Sequence, residues 1–277
     1  MTKLGACIVW KENTLDFAEK FAELKEIGLD CCQITVWDPT FLTDENAKKI
    51  NEAAASVGFE VTCLWVGWTG PCEWNFTAGP DTIGLVPRAY RAHRLKELIE
   101  GSLFAEKIGV KDIATHVGFI PENPSDTNYN ELVASIRWLC NDLKKRGQNF
   151  LFETGQETPV TMLRTIEDLG VDNAFINFDT ANIMLYGKGN PTDSVRIFGK
   201  YVRNTHIKDG FYPTDGKHLG AQVRIGEGRV DFGSIFSVLS DCEYPGPYII
   251  EREISGPQQK IDIIDAIAYI RKVMRVV

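Results

Sequence analysis

Three carboxylates and an imidazole each stand at the end of a short apolar run. Glu153 closes NFLFE, Asp179 closes AFINFD, His206 follows VRNT, and Glu251 follows YII. Each residue type binds hard or borderline divalent cations, and three oxygens with one nitrogen leave coordination positions open for substrate oxygens. A lone carboxylate at a strand end is ordinarily a helix cap or a loop hydrogen-bonder. Four such residues at equivalent points of successive units are better explained by one shared ion. An unpaired charge at the edge of FLF or YII is costly, and a cation would supply the missing partner.

These positions depend on the elements that carry them. Short β-rich runs alternate with longer amphipathic segments eight times, at Leu4–Val9, Cys31–Val36, Glu60–Val66, Asp112–Val117, Phe150–Glu153, Ala174–Asp179, Val202–Ile207 and Tyr248–Glu251. The runs are compact and mostly apolar, as buried parallel strands are. Helix starts are marked by Asn13 or Thr14, by Thr43 with Asn46 three residues on, and by Asp231; Gly28, Gly58, Gly109, Gly147 and Gly170 fall where helices should end. The repetition predicts an α/β fold, a single (β/α)8 TIM barrel over residues 1–277, with chemistry at the C-terminal ends of its strands. An open doubly wound sheet would show the same alternation, but no GxGxxG follows the first run.

The chain has 277 residues, 30 Lys+Arg against 38 Asp+Glu, a net charge of -8 and 44% hydrophobic residues. That composition excludes disorder and disfavours nucleic acid or an anionic membrane as partner, since both are bound through Lys and Arg. A small molecule is the expected ligand. No run nears the roughly 18 to 20 apolar residues of a membrane span, and MTKLGACIVWKENT is a poor secretory signal, so a cytoplasmic location is expected. The seven cysteines form no CxxC pair and read as reduced, apolar fillers.

Taken together, FETGQE, NFDTAN, THIKDG, RIGEGRVDF and IIERE resemble the sugar phosphate isomerase/epimerase group of xylose isomerase-like TIM barrels, over nearly the whole chain. The resemblance implies one divalent ion, often Mn²⁺ with Mg²⁺, Co²⁺ or Zn²⁺ as alternatives, held by Glu153, Asp179, His206 and Glu251. It also implies that Glu153 and Glu251 are the acid/base pair of a ketose 3-epimerase-like enzyme, with a homo-oligomer as a family-level expectation. A chelated ketose or ketose phosphate would have its α C–H acidified, because the cation stabilises the enediolate formed when the proton leaves. Carboxylates on opposite faces would then epimerise that carbon. A metal-dependent lyase, like inosose or dehydroshikimate dehydratases, would begin with the same proton removal. An apurinic endonuclease would need more ligands than His93, His116, His206 and His218 provide, and a non-catalytic sugar-binding barrel would have no use for the full ligand set.

Around this set, His116 ends the fourth run and resembles the family's substrate-contacting histidine, with a packing role as the alternative. Glu157 and Lys208 are candidates for sugar hydroxyls or ordinary loop charges. Asn182 stands where ketose 3-epimerases often carry histidine, the pattern reading DTAN. Arg224 is a candidate for a phosphate, carboxylate or sugar oxygen, and the following Gly226-Glu227-Gly228 reads as a tight turn. The segment WVGWTGPCEWNFTAGPDTIG is long for a connection, and its Trp65 and Trp68 read as a specificity wall for sugar C–H faces or as a seal of the barrel mouth. Trp10 and Trp37, at the ends of the first two runs, are candidate additions to that wall, although packing is the first reading of both.

Overall fold

The computed structural model describes residues 3–275. The first half contains β1 (Leu4–Trp10), α1 (Phe17–Glu26), β2 (Cys31–Val36), α2 (Asp44–Val57), β3 (Glu60–Val66), α3 (Gly79–Thr82), α4 (Arg88–Lys107), β4 (Asp112–His116) and α5 (Thr127–Lys144). The second contains β5 (Asn149–Glu153), α6 (Pro159–Leu169), β6 (Ala174–Asp179), α7 (Asn182–Leu185), α8 (Pro191–Phe198) and β7 (Val202–Ile207). After them come the short β8 (Asp209–Gly210) and β9 (Gln222–Val223), then α9 (Phe232–Asp241), β10 (Tyr248–Ile250) and α10 (Pro257–Met274). Eight parallel strands close in the order β1-β10-β7-β6-β5-β4-β3-β2. β8 and β9 form a separate antiparallel ribbon above β7. The expected eight runs are these eight barrel strands, and the closed order excludes the open sheet.

Strand alternation sorts the side chains into two layers. Ile8, Ile34, Leu64, Ile113, Phe152, Phe178, Ile207 and Ile250 face outward into the main core beneath the helices. Their neighbours Cys63, Trp65, Ala114 and Leu151 face inward and form a smaller cluster with Trp68 and Ile83. The inward parity also carries His116, Glu153, Asp179 and His206 to the upper rim, because each lies an even number of residues from an inward neighbour lower on its strand.

The helices begin where side chains can accept their first free N–H groups. Thr43 accepts from Asn46 N at 3.2 Å and Asp231 from Ser234 N at 3.0 Å, as the sequence indicates. Each such cap stabilises its helix by about 1 kcal/mol. The first helix corrects the reading: its cap is Asp16, which accepts from Ala18 N at 2.9 Å and Glu19 N at 3.1 Å, while Asn13 and Thr14 precede it in the lead-in. A turn closed by Leu15 N and Glu12 O at 3.1 Å delays the helix to Phe17. Gly58 and Gly170 cap α2 and α6 in the left-handed conformation; Gly28, Gly109 and Gly147 have positive φ just beyond their helices.

Candidate metal centre and active site

Register brings the four ligand candidates together. β6 pairs with β7 so that Asp179 lies beside His206, and β4 pairs with β5 so that His116 lies beside Glu153. Glu251 is one residue past β10, but its N–H still donates to Ile207 O at 3.1 Å, extending the ladder by one step. Ligand atoms of Glu153, Asp179, His206 and Glu251 all lie within 4.8 Å of one another. His206 Nδ1 is 3.1 Å from Glu153 Oε1, 3.4 Å from Glu251 Oε2 and 3.8 Å from Asp179 Oδ2.

The donor set fits a divalent ion. Asp179 Oδ1 accepts from Ala181 N at 2.8 Å and Asn182 N at 2.7 Å, which fixes the carboxylate at the start of α7. Its Oδ2 is buried without a hydrogen-bond partner among the described residues; Lys208 Nζ at 3.6 Å and His206 Nδ1 at 3.8 Å are beyond bonding reach. An orphaned carboxylate oxygen costs upwards of about 1 to 3 kcal/mol, and an ion at the centre of the cluster would satisfy it. His206 is backed on the other side by polar groups inside the barrel. Its Nε2 is 2.5 Å from the Gln33 amide nitrogen and 3.2 Å from that of Asn177, and Asn204 donates to Gln33 Oε1 at 2.8 Å. Such partners orient a ligating ring.

Charge in this cluster is balanced unevenly. Burial pushes Glu251 up, but His206 and Lys208 outweigh it and hold the carboxyl well below its ordinary range. For Glu153, burial is outweighed by His116 and His206, with a smaller net lowering. For Asp179 burial prevails over Lys208 and raises it. Burial opposes the charge on His206, yet Cys7, Glu251 and Glu153 carry its pKa well above the usual value. Lys208 likewise stays charged, because Glu251, Glu253 and Asp179 overcome its burial.

The remaining candidates fall into three groups. His116, Asn182 and Trp65 line the same cavity as Glu153 and Glu251: His116 Nε2 is 3.4 Å from Glu153 Oε1, Asn182 Nδ2 donates to that oxygen at 3.4 Å, and the Trp65 indole N–H donates to Glu153 Oε2. Lys208 is buried against Glu251 at 3.0 Å, and Glu157 is buried with its carboxylate accepting from Gly155 N at 3.2 Å. Desolvation raises Glu157 to about 7. Trp68 packs behind the wall formed by Trp37, Trp65 and Trp74, with the Arg94 guanidinium 4.9 Å from its ring centroid. Trp10 is buried against Phe17 and Phe41 in the outer core.

Arg224 is not brought to the cavity. It pairs with Asp262 at 3.2 Å and with Asp265, both on α10. The neighbouring Gly-Glu-Gly turn wraps the Asp209 carboxylate, which accepts from Gly226 N and Gly228 N at 2.9 Å and Val230 N at 3.1 Å. A Cβ at Gly228 would collide with that carboxylate, so the glycine is required there and its N–H is occupied. His93 and His218 are exposed and remote from the cluster, at Thr69 and Asp215. Gln33, Asn177 and Asn204 were not singled out by sequence. Their signal is a polar residue inside an apolar strand, which for Asn177 and Asn204 lies two positions before a ligand and therefore on the same face.

Fold and site together define a parallel eight-stranded barrel with an acidic mouth whose side chains could hold a divalent ion. The chain belongs to the xylose isomerase-like TIM barrel family, whose description it matches over residues 21–273. A xylose isomerase domain protein from Planctomyces limnophilus is 32% identical, with a TM-score of 0.92, covering 100% of this chain and 98% of that one. The 3-keto-D-glucoside 4-epimerase of E. coli is 18% identical with a TM-score of 0.73, covering 98% of this chain and 100% of that one. A D-psicose 3-epimerase studied in the presence of D-fructose is 18% identical with a TM-score of 0.70, covering 98% and 99% of the two chains. Comparison with curated proteins finds no match.

Proposed function

We propose that this chain is a divalent-metal-dependent sugar epimerase or isomerase that moves the proton on a carbon next to a carbonyl, with Glu153 and Glu251 as the proton carriers. The observation that carries this reading is the convergence of Glu153, Asp179, His206 and Glu251 on one point at the floor of the cavity, with Asp179 Oδ2 left unpaired. An ion held there would polarise a chelated carbonyl and make the neighbouring C–H more acidic. Three oxygens and one nitrogen suit Mn²⁺, and also Mg²⁺, Co²⁺ or Zn²⁺.

The two glutamates have different surroundings, which suits one to take a proton while the other gives one. Glu251 is kept ionised by His206 and Lys208. Glu153 is held in place by the Trp65 indole, with His116 and Asn182 beside it. Removal on one face and return on the other inverts the carbon. Trp37, Trp65 and Trp74 offer flat surfaces for the C–H faces of a sugar. The sugar epimerases of the same fold agree with this reading.

The test is solvent exchange in D₂O by the metal-loaded protein on a panel of ketoses, ketose phosphates and keto-glycosides. Deuterium beside the carbonyl with no loss of water supports the epimerase or isomerase. Loss of water identifies the dehydratase instead, and no exchange on any member contradicts the reading.

A further inference from the structure

Of the seven cysteines, Cys7 is the one that lines the cavity over the candidate metal centre. Strand alternation puts it there: Ile8, the next residue of β1, packs outward in the main core, so Cys7 points inward. Register sets its height. Cys7 is paired with Gln33 on β2, and the Gln33 amide nitrogen is 2.5 Å from His206 Nε2. Cys63, paired with Gln33 from the other side, is fully buried in the inner cluster.

This position brings a thiol to the edge of the metal centre. The Cys7 sulfur, a ring nitrogen of His206 and a carboxylate oxygen of Glu251 lie within 4.8 Å of one another. Sulfur, nitrogen and oxygen from three side chains, with a further position open, suit a borderline or soft divalent ion. The set shares His206 and Glu251 with the four-residue centre. What differs is the remainder: a thiol on one side, the carboxylates of Glu153 and Asp179 on the other. The buried, unpaired Asp179 Oδ2 marks the shared point as a place for a cation. Hard ions such as Mn²⁺ prefer the carboxylate oxygens, and soft ions prefer a thiolate. His206 Nε2 is already engaged by Gln33 and Asn177, so the ring has one nitrogen to offer and can serve one ion at a time.

We propose that a thiophilic divalent ion, with Cd²⁺ as the clearest case, binds in a second seat made by Cys7, His206 and Glu251, and there displaces the ion of the carboxylate seat. The proposal rests on the function above for the carboxylate seat and adds a competing one. As the sulfur–metal bond forms, the thiol proton passes to solvent. An ion held this way is drawn off Glu153 and Asp179 and ties up Glu251, one of the two proposed proton carriers. Thiophilic ions are therefore inhibitors of the chain, and Cys7 sets its response to them.

The experiment titrates the metal-free full chain with Cd²⁺ and with Mn²⁺, following the ultraviolet charge-transfer band of a cadmium–thiolate bond together with the heat of binding. The wild type should gain the band on binding Cd²⁺ and lose it again as Mn²⁺ competes for the shared residues. Cys7→Ser should abolish the band and weaken Cd²⁺ roughly a hundredfold, with Mn²⁺ affinity changed by less than about threefold. Cys7→Ala gives the same readout where the serine variant does not fold. Cys242, the exposed thiol, supplies the control: Cys242→Ser should keep the band. No band in the wild type, a band that survives loss of the Cys7 thiol, or a band untouched by Mn²⁺ that the heat shows to be bound would each overturn the proposal. Mn²⁺ binding without a cadmium–thiolate band removes the second seat and leaves the functional reading standing; a Cys7-dependent band with no Mn²⁺ binding keeps the sulfur seat and removes the carboxylate one.

Discussion

Lys208 Nζ lies 3.0 Å from Glu251 Oε2, buried to 1% side-chain exposure, whereas Glu153 has imidazoles, an indole and an amide around it in place of an ammonium. The pair of carboxylates proposed to exchange a proton is therefore asymmetric before any substrate arrives. Lys208 is itself shared with Glu253 at 2.6 Å, so the charge beside Glu251 is fixed in place by the segment that follows β10.

Replacing Lys208 tests that asymmetry. Lys208→Met removes the cation that helps hold Glu251 below its ordinary range, so Glu251 should titrate at higher pH and the acid limb of the pH–rate profile should move upward. Turnover at neutral pH should fall by roughly tenfold or more. Loss of one partner from a buried ionic cluster should also cost about 3 to 5 kcal/mol of stability. A profile superimposable on that of the wild type would refute this role.

Ion binding should release a proton. His206 is held protonated well above pH 6.5 by the surrounding carboxylates, and a ligating imidazole must give up the proton on its ligating nitrogen. Calorimetry in buffers of different ionisation enthalpy should show about one proton released per ion near pH 7. Chelation should lower the melting temperature by several degrees, since an ion at a hundred times its Kd stabilises by about 2.7 kcal/mol. Buffer-independent heats together with a melting temperature unchanged by chelator would contradict the site.

Glu157 should make stability fall as pH rises. Its carboxyl titrates at about 7 in the folded chain against 4.5 ordinarily, so between those values the folded state holds more protons than the unfolded one. The penalty is absent below about pH 4.5 and complete above about 7, reaching on the order of 3 kcal/mol. Glu157→Gln should raise the melting temperature at pH 8 and change it little at pH 5. Parallel stability curves for variant and wild type would show that the group titrates normally.

Much of this was legible in the sequence because barrel strands impose a period of two and place function at one end. Glu153 and Asp179 are the last residues of β5 and β6, and Cys31–Val36, Glu60–Val66, Ala174–Asp179 and Val202–Ile207 are strands with the expected bounds. What escaped depends on contacts between distant residues. Lys208 reads as a contact for a sugar hydroxyl or as a loop charge, and its place beside Glu251 emerges only when Asp179, Glu251 and Glu253 surround it. Arg224 reads as a free cation until α10 brings Asp262 and Asp265 against it. Gln33 lies far from His206 in the chain, and barrel closure alone makes them neighbours.

The most direct test of the two-carboxylate account is exchange by Glu153→Gln and Glu251→Gln, with bound metal measured in the same samples. The account predicts that each variant, where it keeps its ion, still introduces deuterium into the epimer whose proton faces the remaining carboxylate, and no longer interconverts the two epimers. A metal-loaded variant of either kind that epimerises at the wild-type rate would contradict it.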